Sequence, residues 1–288
     1  MDFAAPDPGG RLDAVAPLRQ GAGFSWREAG EGHRTPLVLL HGIGSNAGSW
    51  AGQFEAFSAE RRVIAWNAPG YGSSAHLPAA APVAEDYGAA LWRLMDHLGV
   101  VKATLVGQSL GAIMATAAAR IAPSRVAALV LASPATGYAV PAGAELPETI
   151  ARRICDIREL GPEEMAERRA MRLVTGRASP EVRALVRQAM ASVNPQGYEQ
   201  AVRLLAGSDL PALLDGVELP GMVLWGGEDV VTPPAGCRRI AEAFRGARGV
   251  EIQGLGHAFA TEGPAQFNEA IRPVLAAVDR AHFSALGD

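Results

Sequence analysis

Residues 102–121 read KATLVGQSLGAIMATAAARI. A short apolar run passes through two glycines into an Ala-rich stretch that is apolar on nearly every side. The first half predicts a strand buried on both faces, and the second predicts a buried helix. A strand and a helix that both need burial leave few architectures. The strand has to lie inside a sheet, and the helix has to pack between that sheet and a further element.

The same rhythm recurs along the chain. TPLVLLHG, RRVIAWNAPGYG, RVAALVLASPA, PGMVLWGGED and GVEIQG are short apolar runs, most of them closed by Gly or Pro. Between them lie helical patterns. In EDYGAALWRLMDHLGV, Tyr87, Leu91, Leu94, Met95 and Leu98 share one face and Gly99 stops the helix. PAGCRRIAEAF and PAQFNEAIRPVLAAV close the series. Continuous apolar strands that alternate with helices predict a mostly parallel sheet covered on both faces, an α/β fold. The first two dozen residues read as a loose arm. From 135 to 215 the rhythm breaks into helices with no strands. Ser179-Pro180-Glu181 and Asn194-Pro195 are helix starts there, each a capping side chain followed by proline at the first helical position. The expected organisation is therefore a core of 1–134 and 216–288 with a helical insert at 135–215.

Composition narrows the function. With 49% hydrophobic and 19% charged residues over 288 positions, the chain has the means to bury a large core. A net charge of −4, with Lys102 the single lysine, supplies no basic field, so no nucleic-acid partner is expected. Cys155 and Cys237 are far apart and in no metal-ligand spacing, which fits a reducing compartment. The first twenty residues are acidic and proline-rich and do not resemble a signal peptide, and no apolar run reaches bilayer-spanning length. The expectation is a cytoplasmic protein with no membrane partner, no cofactor and no metal. Its expected partner is a small-molecule substrate, and a homodimer is left open.

Gly107-Gln108-Ser109-Leu110-Gly111 is a G-x-S-x-G pattern, of which chance alone supplies roughly 0.17 in a chain this rich in glycine. Context gives it weight. It sits between a strand and a helix, where small residues let the backbone turn sharply and present the Ser109 hydroxyl. That hydroxyl needs a base. His257, in GLGHAFATEG, follows the last strand-like run and is able to take a proton near neutral pH. Asp229, in WGGEDVVTPP, follows the run before and would hold the imidazole in one tautomer. An oxyanion needs two amide donors. Leu110 is expected to give one, and Ile43, after His41-Gly42, the other. His41 reads as a brace for that loop. Gly42 and Trp50 are candidate substrate contacts, Trp50 with a core role as its alternative.

The order Ser, Asp, His, with the motifs HGIG, NAPGYGSS, GQSLG, GGEDVVTP and GLGHAF, resembles the α/β-hydrolase superfamily over 24–278. The resemblance implies an eight-stranded, mostly parallel sheet with a helical cap inserted after the sixth strand. It also implies a cofactor-free hydrolase with Ser109 as nucleophile, Asp229 as acid and His257 as base. Ser at the nucleophile position separates the chain from relatives that use Asp there. The segment GYEQAVRLLAGSDLPALL and the GGEDVVTPP turn are similar to 3-oxoadipate enol-lactonases, and HGIGSNAGSW to meta-cleavage C–C hydrolases. Against both, Ala258 follows the histidine where C–C hydrolases carry Trp. The elbow reads Ser109-Leu110-Gly111-Ala112 rather than S-M-G-G, and Asn67 stands where many relatives have Asp. The expected reaction is cleavage of a small ester or lactone, from catabolism of a carboxylated or aromatic-derived compound. The alternatives are C–C or amide cleavage on the same triad, a catalytically silent ligand-binding protein, and cofactor-independent oxygenase or haloperoxidase-like chemistry. The insert is Arg-rich, with Arg152, Arg153, Arg158, Arg168, Arg169 and Arg172. One or two are candidates to clamp a substrate carboxylate. The rest read as a solvated face, with Glu164 and Arg168 an i,i+4 pair.

Overall fold

The structure is a computed structural model that describes residues 8–286, so the ends of the expected core and the first seven residues of the arm lie outside the described residues. The chain begins with α1 (Pro8–Val15) and a hairpin, β1 (Leu18–Gly21) and β2 (Phe24–Ala29). β3 (Leu37–Leu40), α2 (Ala51–Phe57), β4 (Val63–Asn67), α3 (Ala84–His97), β5 (Ala103–Gln108), α4 (Leu110–Ile121) and β6 (Val126–Ala132) follow. Then come four helices without a strand: α5 (Glu148–Arg169), α6 (Pro180–Ala191), α7 (Pro195–Gly207) and α8 (Leu210–Leu214). β7 (Gly221–Gly226), α9 (Pro234–Ala243), β8 (Arg248–Ile252), α10 (Phe259–Glu262) and α11 (Pro264–Leu286) complete it.

The eight strands form one sheet in the order β1-β2-β4-β3-β5-β6-β7-β8. β2 pairs antiparallel with β1 and β4, and every other pairing is parallel. The α/β expectation and the eight-stranded sheet hold. The hairpin is the correction to the loose arm. β1 is exposed along most of its length and β2 is fully buried only at Phe24, Ser25 and Trp26, so neither shows a clean apolar alternation. The strand that pairs β2 to the rest of the sheet, β4, begins more than thirty residues after β2 ends.

Burial follows the apolar pattern. β3, β4 and β5 are buried at every position, as strands covered on both faces must be. One core cluster lies under α3, α4 and the inserted helices, the other under α2 and α11. α4 is buried from Leu110 to Ala119, and it packs so closely on α3 that a Cβ on Gly88 would lie 2.8 Å from Ala118 N. Both expected helix starts in the insert are capped. Ser179 Oγ accepts from Val182 N at 3.3 Å, and Asn194 Oδ1 accepts from Gln196 N and Gly197 N.

The sheet order places the chemistry. The chain leaves β3 toward β4 on one side and returns to β5 on the other, so the connections diverge beyond the carboxyl ends of β3 and β5. Ligands of open parallel sheets bind at such a switch point. The loops after β3, β5, β6, β7 and β8 all open on that edge.

Candidate active site

Ser109 stands between β5 and α4 in a conformation few side chains adopt, with φ 54° and ψ −116°. Its neighbours explain why the strain persists. A Cβ on Gly107 would lie 2.2 Å from Gly111 O, and one on Gly111 would lie 2.2 Å from Leu40 O. Only glycine at both positions lets β5 turn into α4 while α4 packs against β3. Ser109 N donates to Ala132 O at 2.9 Å, which anchors the turn to β6. Leu110 N–H opens α4 and so has no acceptor within the helix. Gly42 comes close from the other side, where an added Cβ would lie 2.9 Å from Ser109 Cβ.

The loop that carries Gly42 is braced by His41. Its Nε2 accepts from Ala68 N at 3.0 Å, so the proton is on Nδ1, which donates to Gly42 O at 2.9 Å. Burial lowers the His41 pKa to about 4, and the ring stays neutral at physiological pH. Asn67 adds a second brace: its Oδ1 accepts from Ala47 N, and its Nδ2 donates to Ser25 Oγ.

Asp229 and His257 meet as the order of strands demands. His257 Nδ1 donates to Asp229 Oδ2 at 2.8 Å, with both side chains buried. The other carboxylate oxygen accepts from Val231 N and Thr232 N. Burial works against the charge on Asp229, but His257 and Thr232 outweigh it and hold the carboxyl below its ordinary pKa. An ionised Asp229 keeps the His257 proton on Nδ1 and leaves Nε2 as the free lone pair. His257 Nε2 and Ser109 Oγ make no direct hydrogen bond among the described residues, yet the two residues line one cavity of about 360 Å³. Catalytic hydrogen bonds of this kind are often long before substrate binds. A neighbouring thiol does not compete. Burial and the Asp229 charge push Cys237 up to about 12.

Two contacts are absent from the sequence reading. Thr232 Oγ1 donates to Asp229 Oδ2 at 2.8 Å and lies 3.1 Å from His257 Nδ1. The signal for it was its place three residues after Asp229, the spacing of a side-chain-to-backbone turn. Gln108 Nε2 donates to His257 O at 2.8 Å and ties the histidine loop to the elbow. Nothing local to Gln108 announces that bond.

Of the two candidate substrate contacts, Gly42 lies against Ser109, whereas Trp50 is fully buried beside Phe267 and lines neither cavity next to the serine. Trp50 is a core residue, because α2 and α11 close over it. Ile43 lines the cavity. The insert arginines divide. Arg152, Arg158 and Arg168 form ion pairs at the surface with Asp156, Glu199 and Glu164. Arg153, Arg169 and Arg172 line the cavity with Ser109 and His257, and no carboxylate lines it. Arg169 also pairs with Asp156 at 2.5 Å, whereas the side chains of Arg153 and Arg172 have no ion pair or hydrogen bond among the described residues. A larger cavity of about 650 Å³ lies between 81–85, 140–146 and α7–α8, but it touches none of Ser109, Asp229 or His257.

The family model for the alpha/beta hydrolase fold matches residues 35–264. The chain belongs to this family. Its eight-stranded, mostly parallel sheet is that of an alpha/beta hydrolase, and with the family comes a hydrolytic class of enzyme. Over 255 residues it is 31% identical to the dihydrolipoyllysine-residue acetyltransferase component of an acetoin cleaving system from Pseudomonas putida, covering 84% of this chain. The alignment spans 65% of that protein's own length. It is 26% identical to 3-oxoadipate enol-lactonase 2 of Acinetobacter baylyi, over 89% of this chain and 94% of the relative. A thermophilic esterase from Thermogutta terrifontis, solved with malate bound, superposes with a TM-score of 0.79 at 30% identity, over 89% of this chain and 94% of that one. No helix among the described residues is long and apolar enough to cross a membrane.

Proposed function

We propose that this alpha/beta hydrolase cleaves small esters or lactones that carry a carboxylate, with Ser109 as nucleophile, His257 as base and Asp229 as its partner. The observation that carries the reading is the Asp229–His257 bond of 2.8 Å, with His257 lining a cavity shared with a serine held at φ 54°. Ser109 Oγ attacks the carbonyl carbon while His257 Nε2 takes its proton. Asp229 stabilises the imidazolium, and Ile43 and Leu110 N–H groups receive the oxyanion. Each such donor is worth about 2.7–4 kcal/mol in the transition state. The N-terminus of α4 adds its dipole to the same point. His257 then gives its proton to the leaving oxygen, and water repeats the sequence on the acyl-enzyme. The helical segment 135–215 acts as a cap that roofs this cavity.

The carboxylate rests on Arg153 and Arg172, whose side chains have no acidic partner among the described residues, beside Arg169, which is paired with Asp156. Guanidinium groups pair with carboxylates in two-point hydrogen bonds. The enol-lactonase relative and the malate-bound esterase, whose named substrate and ligand are carboxylated compounds, support the same class.

A fluorophosphonate probe tests the nucleophile. It should label the native protein on Ser109 and leave Ser109→Ala unlabelled; retained ligand binding without labelling would indicate a silent receptor. Mono-p-nitrophenyl succinate against p-nitrophenyl acetate tests the substrate class. We expect a higher kcat/KM for the succinate half-ester, with the preference lost in the Arg153→Ala/Arg172→Ala variant. Equal rates in the native enzyme would remove the carboxylate from the reading.

A further inference from the structure

Ser109 and His257 line a second, much smaller cavity of about 30 Å³. Ile43, Ser109, Leu173 and His257 border both cavities and so form the partition between them. The small one continues under the loop after β3, toward Ser45, Ser49, Gln108 and Ala189. Its size selects its occupant. One water needs about 10–15 Å³ of such space and two to four polar partners, whereas an acyl chain or an alcohol with several carbons does not fit.

The polar partners are there. Gln108 spends its Nε2 on His257 O, which leaves its Oε1 without a protein partner among the described residues. Ser45 Oγ and Ser49 Oγ lie 2.6 Å apart, so one of the two hydroxyl hydrogens is used between them and the other is free to donate. Ser109 and His257, whose Oγ and Nε2 a reacting water must approach, also line it.

We infer that this cavity holds the hydrolytic water. The inference rests on the serine-hydrolase reading and assigns the co-substrate its own site. The substrate enters the large cavity and acylates Ser109. The water then attacks the acyl carbon from the small cavity, and His257 Nε2 takes one of its protons. The bond from the acyl carbon to Ser109 Oγ breaks, Oγ receives the proton from His257, and the carboxylic acid leaves through the large cavity. Hydrolysis therefore does not wait for the large cavity to drain and refill with solvent.

Ala189→Leu fills the small cavity from α6, and Ala184→Leu makes the same change at an exposed position of α6 that lines neither cavity. Stopped-flow traces with p-nitrophenyl acetate separate the acylation burst from the steady rate, and intact mass spectrometry reports the acyl-enzyme. In Ala189→Leu the burst rate should stay within about twofold of the native enzyme. The steady rate should fall about tenfold or more, with the +42 Da acyl-enzyme accumulating, as expected when a reacting group is displaced. Ala184→Leu should turn over like the native enzyme. If both phases slow together in Ala189→Leu, or if neither changes, the water site is wrong. If the steady rate recovers on shortening acetyl to formyl, the cavity is an acyl subsite and the inference falls. Failure of native Ser109 to react with the fluorophosphonate would overturn the underlying reading itself, a result separable from these.

Discussion

His41 shows how one buried residue supports a site without entering its chemistry. Both ring nitrogens are committed, one to Gly42 O and one to Ala68 N, so protonation would break the second bond. Its folded pKa of about 4 lies below the ordinary value of 6.5, so the unfolded chain binds the proton more readily between those limits. Stability from this group is present above pH 6.5 and is lost as pH falls toward 4. For wild type minus His41→Gln, the difference in unfolding free energy should shrink by about 2 kcal/mol from pH 7 to pH 5. Urea titrations at the two pH values measure it, and a difference that does not move would place the ring in a hydrated environment. Most of the residues at the site were readable from the chain because each follows a recognisable strand: Ser109, Asp229, His257 and the Gly42–Ile43 loop. Gln108 was not, because its role is a hydrogen bond to His257 O, 149 residues away, which only the fold brings near, whereas the contact of Thr232 with Asp229 is a local turn spacing that carried a signal.

Among the elements, α7 joins the insert to the core. Gly197, in its first turn, meets Gly70 after β4 so closely that an added Cβ would lie 2.0 Å from Gly70 O. The helix is also held through Asn194, whose Oδ1 lies 3.0 Å from His76 Nε2, and through Gln200, which donates to Leu77 O and Ala79 O. Tyr198, the next residue, lines the cavity of about 360 Å³ with Ser109 and His257. Gly197→Ala should therefore lift α7 from the 70–79 loop. We expect a loss of about 1–3 kcal/mol and a raised KM at a less altered kcat. Chemical denaturation and steady-state kinetics test this, and unchanged values for both would show that the helix reseats at no cost. The caps at Ser179 and Asn194 were legible as local patterns. The glycine contact was not, since nothing near Gly197 in sequence names Gly70.

At the scale of the whole molecule, the last helix is locked to the sheet by a buried charge pair. Arg61 donates to both oxygens of Asp279, at 3.2 and 2.8 Å, and Arg34 reaches the same carboxylate. Arg61 is almost fully buried, so removing its partner would strand a charge away from water. Asp279→Ala should cost about 3–5 kcal/mol, read from urea unfolding. A double variant with Arg61→Met should recover part of that loss, because the apolar side chain has no charge to desolvate. A double variant no better than Asp279→Ala would point to lost packing instead.

The amino-acid sequence by itself determined what is set by neighbours in the chain. Apolar period and glycine placement decide which stretches become strands and helices, and the order of strands decides that Ser109, Asp229 and His257 come from loops after β5, β7 and β8 on one edge. The tertiary structure alone decided the contacts between distant segments. It paired the exposed N-terminal hairpin with β4 and took Trp50 into the core. It sent Arg153, Arg169 and Arg172 to the cavity while Arg152, Arg158 and Arg168 stayed on the surface. The physical reason is the range of the forces involved. Backbone conformation responds to a few adjacent side chains, whereas the fate of a guanidinium or an indole depends on what three-dimensional packing places beside it.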